Sequence, residues 1–250
     1  MTKGPTTPWY RDWFGGEYLA LYPHRDRAEA RHAVELLRQT TGRGPGTRVL
    51  DLGCGAGRHL VELEGIGYRA TGLDLSLPML EAAAKSSVTG GLVRADMRLL
   101  PFIDGSFDVV TSYFTSFGYF DREREDLQVL REVRRVLVPG GTFLLDFMNA
   151  HQVVANLRRE DRRTVSGVEV VQERRLVAGG RIVEKRIRVG AREGRAEREF
   201  VERVRLYRPG ELVSILARAG LAAGPRFGGY EGAPFSHSSP RCIVLAEARS

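Results

Sequence analysis

The 250-residue sequence has few cysteines, few lysines and no long apolar segment. Its two cysteines, Cys54 and Cys242, are too few for the disulfide framework of a small secreted domain, so we expect a reducing, cytoplasmic location. A membrane-spanning helix needs an apolar run of about 18 residues, and no such run occurs. The N-terminal residues also lack the apolar core of a signal peptide, so the sequence predicts no membrane partner.

Positive charge is concentrated in one segment. Residues 158–208 hold 16 basic and 9 acidic residues, a difference of +7, whereas the rest of the chain holds 22 of each. Arginine dominates, since only three of the 38 basic residues are lysine. A basic surface can bind nucleic acid. Because glutamates alternate with the arginines on a β-like pattern, we favour a solvated sheet face.

Residues 49–60 carry the most informative pattern, Val-Leu-Asp-Leu-Gly-Cys-Gly-Ala-Gly-Arg-His-Leu. The pattern predicts a buried strand, a glycine-rich turn and a helix. Glycines at Gly53, Gly55 and Gly57 allow a sharp turn and leave room for a ligand against the backbone. The helix that follows begins with unpaired N–H groups and the positive end of its dipole.

Acidic residues end the next two predicted strands. The second strand, residues 69–74, ends in Asp74, which lies 23 residues after Asp51. An acid at this distance accepts hydrogen bonds from ribose hydroxyls in nucleoside-binding sheets. The third strand, residues 91–96, ends in Asp96. Together the turn and the acids predict a nucleoside site.

Five motifs occur in order over about residues 45–149: Val-Leu-Asp-Leu-Gly-Cys-Gly-Ala-Gly, Gly-Leu-Asp-Leu-Ser, Ala-Asp-Met-Arg, Leu-Pro-Phe…Ser-Phe-Asp-Val-Val and Leu-Val-Pro-Gly-Gly. This order resembles the class I S-adenosylmethionine-dependent methyltransferases. The nearest alternative is a nicotinamide-binding Rossmann domain, whose fingerprint places the third glycine one position later.

The resemblance implies S-adenosylmethionine as the cofactor, S-adenosylhomocysteine as the product and no metal. It implies that Asp74 binds the ribose and that Asp96 accepts from the adenine amino group. The residues assigned to the cofactor site are Tyr18, Asp51, Gly53, Cys54, Gly55, Gly57, Asp74, Leu75, Met79, Asp96, Met97, Tyr113 and Phe114.

Strand and helix patterns alternate, which is typical of a parallel sheet covered on both faces. We predict an α/β fold, a Rossmann-like seven-stranded, mostly parallel sheet with helices on both faces, plus an inserted antiparallel β-meander. Residues 1–149 and 209–250 form the cofactor-binding core with an N-terminal aromatic lid helix, and residues 150–208 form the meander. Predicted helices cover residues 25–41, 58–63, 78–85, 121–138 and 210–219, and the later core strands cover residues 107–112, 142–147, 220–227 and 241–248. Predicted meander strands cover residues 164–177, 181–189 and 195–206.

The methyl acceptor is expected between three segments. Six aromatic residues lie between Trp9 and Tyr22, a pattern that suits a packing helix and equally a lid over the ligands. The loop at residues 112–120 follows the fourth strand, where ligands bind in open α/β sheets. It lacks the Asn/Asp-Pro-Pro-Tyr/Phe motif of enzymes that methylate base amino groups, so a small organic acceptor is favoured. Loop 228–240 is the third segment.

A general base is needed only if the acceptor must lose a proton. The candidate bases are His24, His151 and His237, with Tyr22 or Tyr119 as orienting groups, although a single histidine is more often structural. His59 follows the glycine turn and is expected to point away from the methyl group.

The leading hypothesis is a methyltransferase that acts on nitrogen or oxygen of a small molecule. The order of segments looks like that of amino-sugar N-methyltransferases, a resemblance that implies a homodimer and little acid–base chemistry. Two alternatives remain. The first is an RNA methyltransferase that uses the basic meander, and the second is a non-catalytic S-adenosylmethionine-binding module.

Overall fold

The computed structural model describes residues 8–22, 27–86, 88–192 and 196–249, which form two sheets with helices around the larger one. Within these ranges, no helix combines the length and the apolar character that a membrane crossing requires. The helices are α1 (Trp9–Trp13), α2 (Gly16–Leu21), α3 (Arg27–Thr41), α4 (Arg58–Gly65), α5 (Leu77–Lys85), α6 (Glu123–Val136), α7 (Ala150–Ala155) and α8 (Pro209–Arg218). The strands are β1 (Arg48–Leu52), β2 (Arg69–Asp74), β3 (Gly91–Arg94), β4 (Phe107–Ser112), β5 (Leu137–Met148), β6 (Glu160–Val165), β7 (Val168–Val177), β8 (Ile182–Val189), β9 (Arg198–Arg205), β10 (Leu221–Phe227) and β11 (Arg241–Ala248).

The larger sheet has seven strands in the order β10-β11-β5-β4-β1-β2-β3. Strands β1 to β5 pair in parallel, whereas β11 is antiparallel to both β5 and β10. The chain progresses from β1 toward β3 on one side and from β4 toward β5 on the other. This reversal leaves a crevice at the carboxyl ends of β1 and β4, where open α/β sheets bind their ligands.

Helices cover both faces of this sheet, as predicted. On one face, Leu37 of α3 and Leu60 of α4 pack against Val49 of β1. On the other face, Leu130 of α6 and Leu216 of α8 belong to the same buried cluster. All five side chains are fully buried. The predicted fold class is therefore confirmed.

The Pro-Gly-Gly segment behaves differently from the sequence prediction. The sequence predicts that it ends a helix and precedes a strand at residue 142, but β5 already begins at Leu137. Pairing with β4 shifts between Leu137 and Thr142, so Pro139–Gly141 forms an irregularity inside the strand. Proline lacks the N–H that a ladder needs, and bulges are where a sheet accommodates it.

The smaller sheet is the antiparallel meander, with four strands in the order β6-β7-β8-β9. The prediction of one strand over residues 164–177 was wrong, because a turn at Ser166 and Gly167 divides that stretch into β6 and β7. Their φ angles are +50° and +80°. Two consecutive positive φ angles are typical of a tight type I′ hairpin.

The lid consists of two short helices, α1 and α2, and it packs on the meander. The rings of Trp13 and Phe200 lie 4.7 Å apart. Trp13 Nε1 donates to the Glu202 carboxylate, and Arg198 forms an ion pair with Glu17 at 2.9 Å. The lid and the inner face of the meander therefore share one apolar cluster with a polar rim.

Candidate functional site

A cavity of about 340 Å³ lies at the carboxyl ends of β1, β2 and β4. Small-molecule sites usually measure about 300–1,000 Å³. Its walls are the glycine turn after β1, the ends of β2 and β3, the lid, and residues 113–120, named here the β4 loop. The predicted cofactor residues on these walls are Tyr18, Gly53, Cys54, Gly55, Asp74, Leu75, Met79, Asp96, Met97, Tyr113 and Phe114, whereas Asp51 and Gly57 lie behind them.

The glycine turn has the left-handed backbone that its sequence predicts. Gly53, Gly55 and Gly57 have φ angles of +75°, +54° and +80°. A Cβ at Gly53 would lie 2.8 Å from the Cβ of Ser116 in the β4 loop, so a side chain there would displace the loop. A Cβ at Gly55 would meet no atom within 4 Å. The backbone of Gly55 thus leaves open space where a ligand can approach.

Asp74 links the glycine turn to the end of β2. Its Oδ2 accepts from the Gly55 N–H at 2.9 Å and its Oδ1 accepts from the Ser76 N–H at 2.8 Å. Burial raises the pKa of Asp74, and these backbone N–H groups act in the opposite direction. An ionised carboxylate offers about four acceptor positions, more than these backbone groups use, so it can also accept from a hydroxyl group of a ligand.

Asp96 is held in an ion pair. The Arg98 guanidinium donates to both carboxylate oxygens, with nitrogen–oxygen distances of 3.0 and 2.7 Å. Burial pushes the pKa of Asp96 up, but the hydrogen bonds and charge of Arg98 outweigh it and the net shift is downward. Arg98 also lies over the Phe120 ring at 4.5 Å. Asp96 therefore faces the cavity as a fixed, ionised hydrogen-bond acceptor.

Asp51 is a buried acid with one unpartnered oxygen. Its Oδ1 accepts from Thr111 Oγ1 at 3.1 Å, and its Oδ2 has no hydrogen-bond partner in the described part of the chain. Burial raises the pKa of Asp51 to about 7, and the charge of Asp74 adds to the rise. A buried acid with an oxygen that lacks a hydrogen-bond partner fits a positively charged ligand. S-adenosylmethionine carries an ammonium and a sulfonium, so Asp51 and the open face of Gly55 fit this cofactor.

We expect Asp51→Asn to stabilise the ligand-free protein at pH 8 but not at pH 4. The folded-state pKa of about 7 lies above the ordinary value of 3.8, so the folded state binds this proton more tightly than the unfolded state. The resulting stabilisation is complete below about pH 4 and is lost as the pH rises through about 7. Asparagine stays neutral, so the melting temperature of the variant should lack this loss.

Scanning calorimetry between pH 4 and pH 8 measures the effect on both proteins. If the melting temperatures of wild type and Asp51→Asn changed with pH in the same way, the raised pKa assigned to the buried Asp51 would be wrong. The same variant should bind S-adenosylmethionine more weakly at pH 8, because a neutral amide no longer attracts a cation.

The β4 loop depends on Asp146, which the sequence did not single out. Phe114 and Thr115 have φ angles of +57° and +65°, a region that side chains rarely adopt. The Phe114 N–H donates to Asp146 Oδ2 at 2.7 Å, and the Thr115 N–H donates to the Asp146 carbonyl at 2.9 Å. Tyr230 and Arg241 donate to the same fully buried carboxylate.

The candidate catalytic residues separate into different places. Tyr22 and Tyr119 line the cavity. His24 lies outside the described residues. His151 lies in another cleft, where its ring stacks on that of His237 at 4.1 Å. Asn149 explains this position, because it caps α7 through the His151 N–H and binds carbonyls of residues 236–239. The structure therefore does not support His151 as a base.

Two further expectations need correction. His59 lines the cavity and stacks on Tyr113 at 4.2 Å, whereas the sequence predicted that it points away. Side chains in a helix lean toward its N-terminus, so His59 in the first turn of α4 leans back over the glycine turn. Burial holds the pKa of His59 well below its ordinary value, so the ring is neutral. Loop 228–240 does not line the cavity, and its Tyr230 instead supports Asp146.

The described residues contain no group of three histidine, cysteine or acidic side chains that could hold a metal ion. The wall chemistry is that of aromatic rings, backbone N–H groups and two acids, Asp74 and Asp96, and Asp51 lies behind the wall.

Residues 50–145 match the family described as a methyltransferase domain. A curated relative, the putative methyltransferase YqeM of Bacillus subtilis, is 34% identical over 109 residues, which cover 42% of this chain and 44% of the relative. The chain thus spans less than half the length of the curated relatives it matches.

Solved structures of methyltransferases resemble this chain over almost its whole length. The CcbJ methyltransferase of Streptomyces caelestis superposes with a TM-score of 0.80 at 22% identity, covering 99% of this chain and 100% of that one. The sugar N-methyltransferase KedS8 of Streptoalloteichus sp. superposes with a TM-score of 0.72 at 24% identity, covering 100% and 99%. Residues 50–145 therefore match a methyltransferase domain, and the whole chain has the fold of solved methyltransferases, one of which, CalS10, is described as bound to S-adenosylmethionine.

Proposed function

We propose that the protein is an enzyme that transfers the methyl group of S-adenosylmethionine to nitrogen or oxygen of a small molecule by in-line displacement. The observation that carries this proposal is the cavity, in which the lid and the β4 loop place aromatic rings opposite the glycine turn. A cavity of this size suits a cofactor and a compact acceptor.

The aromatic wall excludes water and favours positive charge. Phe14 and Tyr119 stack at 5.6 Å, and Trp9 meets the Tyr119 ring edge-on at 5.0 Å. Trp9 Nε1 also donates to the Tyr119 carbonyl at 3.3 Å, which fixes the lid to the β4 loop. Aromatic faces attract cations, including alkylated ammonium groups. Such a wall suits an amine whose methylated form is positively charged.

When bound, the cofactor supplies a methyl group already activated by its sulfonium. The protein then has to bind the acceptor in line, near about 3 Å from the methyl carbon, and to keep water out. Asp74 and Asp96 hold the nucleoside, and Asp51 provides negative charge below the glycine turn. A neutral amine needs no base, and the neutral, buried His59 is poorly suited to take a proton. We therefore favour nitrogen over oxygen as the acceptor atom.

The names of similar proteins agree with this choice. KedS8 is a sugar N-methyltransferase and CalS10 is an amino pentose methyltransferase, and both share the fold. An amino sugar is accordingly the first acceptor class to test. A homodimer is part of the same proposal, because the resemblance to this group implies one.

The proposal predicts S-adenosylhomocysteine formation that depends on an added small amine. The assay uses the purified chain, S-adenosylmethionine and a panel of amino sugars, amino alcohols and matched hydroxyl compounds, with mass spectrometry of the products. Turnover with amines and none with hydroxyl compounds supports nitrogen. No product with any acceptor, despite tight cofactor binding, would instead favour the non-catalytic binding module.

The nucleic-acid alternative makes a different prediction. On the meander, Glu184 pairs with Arg175 at 2.6 Å and lies 3.6 and 3.4 Å from Arg186 and Arg203. Because such pairs occupy these cations, few of them are available for phosphates. We expect activity to change little between about 50 and 200 mM salt. Activity only with RNA, with a loss of about 10³-fold or more over this range, would favour counterion release and the alternative.

A further inference from the structure

Arg205, the last residue of β9, holds the second half of the β4 loop through carbonyl groups. Its backbone N–H donates to the Gly118 carbonyl at 2.8 Å. Its guanidinium donates to the carbonyls of Phe120 and of Asp121, the next residue, at 3.2 and 2.8 Å. Because this stretch belongs to no helix or strand, Arg205 supplies hydrogen bonds that regular structure would otherwise provide.

A buried carboxylate fixes the Arg205 side chain. Arg205 Nε donates to Asp126 Oδ2 at 3.0 Å, and Tyr207 Oη donates to the same oxygen at 2.8 Å. Asp126 lies in α6, whereas Arg205 and Tyr207 lie where the meander returns to the core. A planar guanidinium has several donors in fixed directions, so it can bind one carboxylate and two carbonyls at the same time.

The loop approaches the end of the meander closely because Gly118 has no side chain. Its φ angle is +80°, and a Cβ there would lie 3.1 Å from the Arg205 carbonyl oxygen. The neighbouring Phe117 is buried and stacks on Tyr207 at 5.7 Å. Backbone and ring contacts therefore add to the hydrogen bonds of Arg205.

The residues that Arg205 holds form part of the cavity wall, whereas Arg205 itself does not line the cavity. Tyr119 and Phe120 both line it. The Phe120 ring meets the Tyr10 ring of the lid edge-on at 5.5 Å. A shift of the loop backbone would therefore move aromatic rings of the wall.

The side of the cavity proposed for the nucleoside has supports of its own. Asp96 is bound by Arg98, whose guanidinium also pairs with Glu125 at 2.5 Å. Two carboxylates thus hold Arg98 in place, and the contact with the Phe120 ring is additional. A shift of the loop should therefore disturb acceptor binding more than cofactor binding.

We propose that Arg205 is a positioning residue for the methyl acceptor, because it holds the β4 loop where Tyr119 and Phe120 form the acceptor wall. Asp126 contributes by keeping the guanidinium in place. This inference rests on the proposed function, since it needs an acceptor in the cavity. The end of the meander thereby sets the position of a wall that another segment forms.

The first arm of the test uses the two tryptophans as reporters and needs no methyl transfer. With ¹⁵N-labelled tryptophan, each indole N–H gives one magnetic resonance signal. Trp9 Nε1 donates to the Tyr119 carbonyl, whereas Trp13 Nε1 donates to Glu202. We expect Arg205→Met to shift the Trp9 signal and to speed its exchange with water about tenfold, and to leave the Trp13 signal unchanged.

Arg203→Met is the matched control. Arg203 lies two residues earlier in β9, with its Nε 3.4 Å from Glu184 of the meander, so neither tryptophan signal should change. Arg205→Met leaves Asp126 buried without its cation, so Arg205→Met/Asp126→Asn serves where the single variant does not fold. An asparagine oxygen can still accept from Tyr207, while the loop carbonyls still lose their donor.

The second arm measures acceptor and cofactor separately. The acceptor is the amine of the panel described above that is turned over fastest. Arg205→Met should raise its KM about tenfold with a smaller change in kcat, and should change the dissociation constant of S-adenosylhomocysteine by less than about threefold. Arg205→Lys should raise the KM as well, because a single ammonium lacks the planar fork of donors.

A shifted Trp9 signal together with a raised acceptor KM supports the proposal. An unchanged Trp9 signal, an unchanged KM, or a loss of cofactor affinity equal to that of the acceptor would each overturn it. If no amine is turned over, the proposed function fails, and the tryptophan signals still decide whether Arg205 holds the wall.

Discussion

Asp74→Ala should weaken S-adenosylhomocysteine binding by about 10- to 100-fold, which corresponds to about 1.5–3 kcal/mol for hydrogen bonds to a charged group. The carboxylate holds the Gly55 and Ser76 N–H groups and retains acceptor positions toward the cavity. Its loss therefore removes a ligand contact and also loosens the glycine turn. Titration calorimetry with the purified variant measures the combined effect.

A second pair of ligands separates the ligand contact from the loosened turn. Adenosine has both ribose hydroxyls and 2′,3′-dideoxyadenosine has neither, so wild type should prefer adenosine and Asp74→Ala should lose the preference. Asp108→Ala is the matched control, because Asp108 pairs with Arg48 at the other end of the sheet. A folded Asp74→Ala variant that still prefers adenosine would remove Asp74 from the ribose site.

The parts of the site that sequence reasoning predicted are those with a local signal. Gly53, Gly55 and Gly57 occupy left-handed backbone, which few other residues adopt, so the turn is visible in the sequence. Asp74 ends β2 and Asp96 lies two residues after β3, and the parallel pairing of these strands brings both acids to one edge of the sheet. The fold class followed from the same alternation of strands and helices.

The parts that were missed depend on contacts between distant segments. Asp146 and Arg241 are 95 residues apart and meet because β5 and β11 are neighbours in the sheet. No spacing rule predicts such a pair, and loop 228–240 was assigned to the cavity partly because this register was not known. His59 was misplaced for another reason, since the prediction ignored the lean of side chains in a first helical turn.

The lid shows an intermediate case. The aromatic residues between Trp9 and Tyr22 suited a packing helix and a lid equally, and the structure has two short helices there that contribute Tyr10 and Tyr18 to the cavity wall. The contacts that hold the lid on the meander could not be predicted. They come from Gln172, Lys185 and Glu202, which lie on three different strands. The homodimer that the resemblance implies stays a prediction. The meander is thus joined to the lid by polar contacts between residues that are about 150 or more positions apart in the sequence.

The buried ion pair between Asp146 and Arg241 should have the largest effect on stability. Removing one partner of such a pair typically costs about 3–5 kcal/mol, because the other charge is left buried without compensation. Asp146 is fully buried, and Arg241 is largely buried. For a chain of this size we expect Arg241→Met to lower the melting temperature by about 6–20 °C.

The same change should reach the cavity, because Asp146 also holds Phe114 and Thr115 in their left-handed backbone. Without Arg241 the carboxylate loses its cation, and we expect the β4 loop to shift and S-adenosylhomocysteine to bind more weakly. Arg241→Met/Asp146→Asn should recover part of the lost stability, since no unpaired charge remains and the asparagine oxygen can still accept from Phe114. Arg226→Met removes an exposed cation from the neighbouring strand β10 and should change the melting temperature by no more than about 2 °C. Equal melting temperatures for Arg241→Met and Arg226→Met would show that the buried pair does not stabilise the fold, and unchanged S-adenosylhomocysteine affinity would show that it does not support the loop.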